Sequence, residues 1–185
     1  MAVKHLYKNG ARSMAFIGYK VNIGPVVTIN SPMATMADVF SNATKKFPKK
    51  VTQHLLMLEY KYAPFEKMRR ARVEQLVKWL GEGRDIDGII CGNQTVCYEV
   101  LLALSQLGLE VPEDLLLVSL GDNQWLPLLS TPVTAFQQPT EKIATATLKL
   151  VNERLNEEDS RKPAQEKLFA GELLERGSSL KKSLR

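Results

Sequence analysis

The chain has 185 residues, 44% apolar and 24% charged, which suits one domain or two small lobes with a sizeable core and argues against a disordered chain or a disulfide scaffold. Its net charge of +5 is uneven: residues 1–50 hold eight Lys/Arg against the single acid Asp38, and the remainder is close to balanced. Two cysteines without a CxxC spacing, Cys91 and Cys97, and two distant histidines, His5 and His54, speak against a zinc site and read as buried thiols in a reducing compartment.

The first twelve residues lack a signal-peptide pattern, and no apolar run nears the roughly 20 residues that cross a bilayer, so the reading is cytoplasmic with no membrane contact. Val3, Leu6 and Tyr7 predict a helix capped by Gly10, and Met14–Gly18 a buried strand. Pro25–Met33 is irregular. Met36, Val39, Phe40 and Ala43 give a helical stripe that ends at Phe47-Pro48, and Val51–Tyr60 is the next strand. The basic run Lys45–Lys50 reads as a solvated loop, with only Phe47 available to stack a base.

Pro64 opens a helix with Val73, Leu76, Val77 and Leu80 inward, stopped by Gly81 and Gly83. Asp87–Cys91 is a short strand. A helix follows on Val96, Val100, Leu101, Leu104 and Leu107, closed by Gly108, and Leu115–Leu120 is a strand buried on both faces. Val133–Phe136 is a further strand. Pro139 begins a long helix through Leu155, with Ile143, Ala146, Leu150 and Leu155 inward. Asn156–Pro163 is a polar loop, Lys167–Ala170 and Leu173–Arg176 are terminal strands, and Gly177–Arg185 is a frayed tail. This alternation of helix and strand calls for a parallel sheet between layers of helices.

Open α/β sheets bind ligands outside the carboxyl ends of their strands. The residues that follow the predicted strands are Gly92-Asn93-Gln94, Gly121-Asp122-Asn123, Gln137-Gln138 and Glu59-Tyr60-Lys61-Tyr62. Amides, one carboxylate and aromatic rings suit a neutral polyol, because amides both donate to and accept from hydroxyls and a ring covers the apolar face of a sugar. The plain alternatives stay open here: Asn93 as a helix cap and Asp122 as a turn former.

Several ordered segments resemble regulators of the lactose-repressor/galactose-repressor (LacI/GalR) family. They are Ala2–Leu6 with Asn9-Gly10 and Met14–Gly18; Asp87–Asn93; Leu104–Asp114, which is similar to the family's LGLxVPED segment; Val118–Asn123; Pro132–Pro139, similar to PxLTTxxQP; and Glu172-Leu173 with Arg176–Ser179. The resemblance implies an α/β, periplasmic binding protein-like I fold with one complete lobe and a partial first lobe. It divides the chain into residues 1–50 as a remnant of the N-terminal lobe, to which 132–145 return, residues 51–131 with 146–177 as the C-terminal lobe, and 178–185 as a flexible tail.

By position the resemblance assigns effector binding to Asn93, Asp122 and Gln138, with Gln94, Thr35 and either Tyr60 or Tyr62 beside them. Departures are visible: Gln94 stands where the family has Asp, Gly121 where it has the first Asp of a pair, and Thr35, Asp38 and Val39 occupy the region of its ligand arginine. Asn123–Leu129 matches a dimer-interface stretch, so Trp125, Leu126 and Leu128 are the expected contacts of a two-fold homodimer. The implied function is ligand-dependent control of transcription by a sugar or similar small polar effector, with operator DNA contacted only through a headpiece outside this chain. The alternative is a free sugar-binding protein. No Gly-x-Ser-x-Gly elbow, P-loop or Gly-x-Gly-x-x-Gly occurs, and Asp85-x-Asp87-Gly88 lacks the later ligands of a calcium loop, so neither catalysis nor a cofactor or metal is expected.

Overall fold

In the computed structural model, described over residues 1–21, 32–60, 65–155, 163 and 165–180, short apolar runs become the inner strands of one six-stranded sheet. The strands are β1 (Ser13–Val21), β2 (Thr52–Tyr60), β3 (Gly88–Cys91), β4 (Leu116–Ser119), β5 (Thr134–Gln137) and β6 (Glu172–Leu174). Their order is β2-β1-β3-β4-β5-β6, parallel except for β6, which runs antiparallel on the edge. β3 and β4 are wholly buried, which is why Gly-Ile-Ile-Cys and Leu-Leu-Val-Ser show no alternation.

The helices are α1 (Ala2–Lys8), α2 (Pro32–Thr44), α3 (Phe65–Gly81), α4 (Gln94–Leu107) and α5 (Thr140–Leu155). On one face of the sheet Ala15, Ile17, Leu58, Ile89 and Leu117 pack under α3 and α4; on the other Met14, Phe16, Ile90 and Val118 pack under α1 and α2. α4 is bounded as its sequence predicts: the Asn93 side chain accepts from Val96 N at its start, and Gly108 adopts a left-handed φ of 68° at its end. Asp87 is used at the start of β1, where its carboxylate accepts from the backbone N–H groups of Arg12 and Ser13.

The division into a first-lobe remnant and a complete second lobe differs from this sheet. β1, assigned to the remnant, pairs with β2 over nine residues on one side and with β3 on the other, and β5 joins β4. A strand of apolar residues with two hydrogen-bonded neighbours is interior to its sheet, so β1 and β5 belong to one sheet with β2, β3 and β4.

Three further expectations are corrected. α5 buries none of its residues; Ile143 is 39% exposed and Leu155 78%, so neither points inward. Residues 167–170 form no strand, β6 being the single terminal one described. The segment Gly177–Ser179 is not frayed. It forms a 3-10 turn in which Ser178 and Ser179 are fully buried. Ser178 Oγ donates to Leu117 O at 2.6 Å and accepts from Thr134 N, while Ser179 Oγ lies 2.7 Å from His5 Nε2 and 2.6 Å from Thr134 Oγ1. Hydroxyls here replace the ladder that the short β4 and β5 cannot extend. The expected loops Pro25–Met33 and Asn156–Pro163 lie largely outside the described residues, as does 181–185.

Candidate functional site

Three strand ends meet at the carboxyl edge of the sheet. β3 delivers Gly92, Asn93 and Gln94 to the start of α4; β4 runs into Leu120–Gln124; and β5 ends at Gln137 and Gln138, before α5. Together with Met33 and Met36 of α2 they line an open hollow of about 670 Å³. Six of its lining residues are amides: Asn93, Gln94, Asn123, Gln124, Gln137 and Gln138.

Among the described residues of that lining Asp122 is the one that is charged, and it is already engaged. Arg176 Nη1 donates to Oδ1 at 2.9 Å and Nη2 to Oδ2 at 2.7 Å, a two-pronged pairing between half-buried side chains. These bonds from Arg176 hold the Asp122 carboxyl below its ordinary range despite partial burial, and the guanidinium's own pKa is raised in return. The hollow therefore presents dipoles with a compensated charge.

Asn93 turns out to do the capping work weighed above, its Oδ1 accepting from Val96 N at 2.9 Å. Its side-chain NH2 has no partner among the described residues and remains a donor at the hollow. Asn123 Oδ1 accepts from Trp125 N and Leu126 N, which fixes the turn after it.

Two departures from the family pattern are linked in space. Gly121 has φ 151°, in the region open mainly to glycine, and a Cβ placed there would lie 2.7 Å from Gln94 Oε1. The Gln94 side chain fills the space that Gly121 leaves.

The structure thus brings Asn93, Gln94, Asp122 and Gln138 to one hollow, and leaves Thr35 outside it. Thr35 is exposed on the first turn of α2 and lines a neighbouring groove. Tyr60 ends β2, two strands away from β3, and nothing more is described of its side chain; Tyr62 lies outside the described residues. Of the expected dimer contacts, Leu126 is fully buried in the core and cannot be one, because no part of it reaches the surface. Trp125 is half-buried, edge-on to Tyr98 with ring centres 5.8 Å apart, and Leu128 is 82% exposed.

Sequence reasoning noted Arg176 within the Arg176–Ser179 segment but gave it no role at the hollow, because its separation from Asp122 is spanned only by tertiary structure. Cys91 and Cys97 are free and buried as expected, burial pushing the Cys91 thiol up. Among the described residues no group of side chains could hold a metal ion, and no helix is long and apolar enough to cross a membrane.

Comparison with known proteins places this architecture. Residues 3–179 match the model of the periplasmic binding protein-like domain. The chain is 28% identical over 97 residues to the HTH-type transcriptional regulator MalR of Streptomyces coelicolor, covering 52% of this chain and 28% of that protein. It is 34% identical over 106 residues to the HTH-type transcriptional regulator PtxS of Pseudomonas plecoglossicida, covering 57% and 31%. To the HTH-type transcriptional repressor MelR of Bacillus subtilis it is 24% identical over 155 residues, covering 84% and 43%. The matches thus take in less than half the length of each of these curated relatives.

Among solved structures, a LacI family transcriptional regulator from Enterococcus faecalis with bound ribose superposes with a TM-score of 0.74 at 18% identity, covering 99% of this chain and 60% of that one. The xylose-binding transcription activator xylR gives 0.74 at 22% identity, covering 100% and 46%. The chain belongs to the periplasmic binding protein-like domain family.

Proposed function

We propose that the chain is the effector-sensing part of a transcription regulator, and that its amide-lined hollow is one wall of a site for a small neutral polyhydroxylated ligand. The observation that carries this reading is the lining itself: six amides, apolar Met33, Met36 and Leu120, and one carboxylate matched by Arg176. Amides supply donors and acceptors to hydroxyls without demanding a counter-charge, whereas a phosphorylated ligand would meet no unengaged cation among the described residues of this lining.

Relatives crystallised with ribose and with lactose support the same chemistry. The regulators among the relatives favour a sensor over a free sugar-binding protein. Ligand then acts by contacting one conformation of the regulator better than another. Operator contact belongs to a part of the regulator outside this chain, and Trp125 with Leu128 forms the surface through which two copies meet.

The test is ligand-induced stabilisation of the chain by ribose, xylose and lactose, with ribose 5-phosphate for comparison. A neutral sugar at a hundredfold excess over its dissociation constant stabilises by about 2.7 kcal/mol. That increment is lost in Asn93→Ala and in Gln94→Ala. Removing the cap costs about 1 kcal/mol by itself, so the increment on adding ligand is the readout rather than the melting temperature. An increment unchanged in both variants, or one given by the phosphate alone, refutes the assignment.

A further inference from the structure

On the face of the sheet opposite α3 and α4 lies a second concavity of different chemistry. It is a groove of about 520 Å³ between α1 and α2, floored by Phe16, Phe40 and Ile90. The floor residues are almost fully buried, and the walls are completed by Val39, Phe47 and Leu120. Val39 stands 62% exposed on the wall, although it belongs to the apolar stripe of α2. A helix that turns a β-branched apolar residue outward over an apolar floor has left a face for something apolar to cover.

The rim has one sign of charge. Among the described residues of the groove Lys4 of α1 and Lys46 just past α2 carry the side-chain charge, both exposed, and no acid joins them. Neither lysine has a carboxylate partner among the described residues. An apolar trough with unneutralised ammonium groups at its mouth matches a ligand with an apolar body and an anionic head.

We infer that this groove is a second binding site, for a small carboxylate with an aliphatic or aromatic body. Its recognition chemistry is the reverse of that in the hollow: area burial for affinity and a lysine for orientation. The two sites share a wall, since Met36, Leu120 and Gln138 line both, so a ligand in the groove fixes side chains on which the hollow depends. The inference does not rest on what the hollow binds.

The probe is octanoate, followed by the methyl resonances of 13C-methyl-methionine in the chain as it stands. Met36 lines the groove, Met33 lines the hollow but not the groove, and Met68 on α3 lines neither. Octanoate is expected to shift Met36 saturably and leave Met33 and Met68 in place, and octanol to bind less tightly. Val39→Glu, at an exposed position that folding tolerates, weakens octanoate by about tenfold by setting a carboxylate in the trough, and Lys46→Glu by a similar factor through the head group. Leu148→Glu on α5, equally exposed but outside the groove, leaves binding unchanged. The proposal is overturned by a Met36 signal that does not move, by octanol and octanoate binding alike, or by loss of binding in Leu148→Glu but not in Val39→Glu. A Met36 shift that follows protein concentration without octanoate also overturns it, since a second copy of the chain would then occupy the groove.

Discussion

Arg72 on α3 donates from Nε to Glu99 Oε1 on α4 at 2.8 Å, inside the packing of the two helices, where both side chains are closed off from solvent. Its Nη2 reaches the same oxygen, Tyr19 donates its hydroxyl to Oε2 at 3.0 Å, and the guanidinium lies over the Tyr19 ring at 4.9 Å. Removing one partner leaves the other as an uncompensated buried charge, so Glu99→Ala should cost about 3–5 kcal/mol in chemical denaturation. The double replacement Arg72→Met with Glu99→Leu should cost clearly less than that single change. A single-variant loss within the noise of the measurement would contradict the role of the pair.

The same pocket silences Tyr19. Burial first, and then the negative charge of Glu99, raise its phenol well above the ordinary range. The ultraviolet absorbance change as tyrosines ionise around pH 10 should therefore be the same in the wild-type chain and in Tyr19→Phe. A smaller change in Tyr19→Phe would mean that this phenol titrates with the others.

Asp122 gives a pH signature of opposite sense. Its folded-state pKa is depressed, so its contribution to stability is present above the ordinary carboxylate range, about pH 4, and drains away as pH falls further. Asp122→Asn should lower stability at neutral pH by about 1–2 kcal/mol and flatten the acid limb of the pH–stability curve. An acid limb identical in both proteins would show that the pairing with Arg176 adds nothing.

Gly121 and Gln94 should be coupled. Gly121→Ala strains a backbone held at φ 151° and drives a methyl group into the Gln94 amide, costing about 1–3 kcal/mol. Shortening the neighbour with Gln94→Ala removes the collision but not the strain. The double-mutant cycle should return part of the loss, and strict additivity would mean that the two positions ignore each other.

Leu128 tests association. At 82% exposure beside Trp125 it is costly to leave in water, and Leu128→Asp should shift the chain toward monomer in sedimentation without loss of stability. Sedimentation unchanged by the substitution would move the interface elsewhere.

The inner strands and the caps of α4 were legible because each is dictated locally. Ile89-Ile90 and Leu115–Val118 cannot be anything but buried, and Asn93 and Gly108 mark helix ends by their own conformational chemistry. The amides and the carboxylate of the hollow were legible through topology, since strand ends in such a sheet converge. The lobe division failed because pairing is not local: nothing in Met14–Gly18 says that Gly88–Cys91 will lie beside it. Leu126 looked like a contact because an apolar run cannot itself tell a buried leucine from the exposed Leu128 two residues on. Arg176 escaped for the same reason as β1, and Val39 because a periodic stripe gives the direction of a side chain and not what lies beneath it.

α5 buries none of its residues among the described part of the chain, and this bears on how the molecule comes apart. Its stripe of Ala144, Leu148, Val151 and Leu155 is open to water, so the helix leans mainly on its own short-range bonding, which for 16 residues is marginal. Amide protons of α5 should trade with deuterium through local fraying, while those of β3 and β4 wait for the whole sheet to open. Protection that appears along α5 on adding any second molecule would mark the moment that this helix acquires a neighbour.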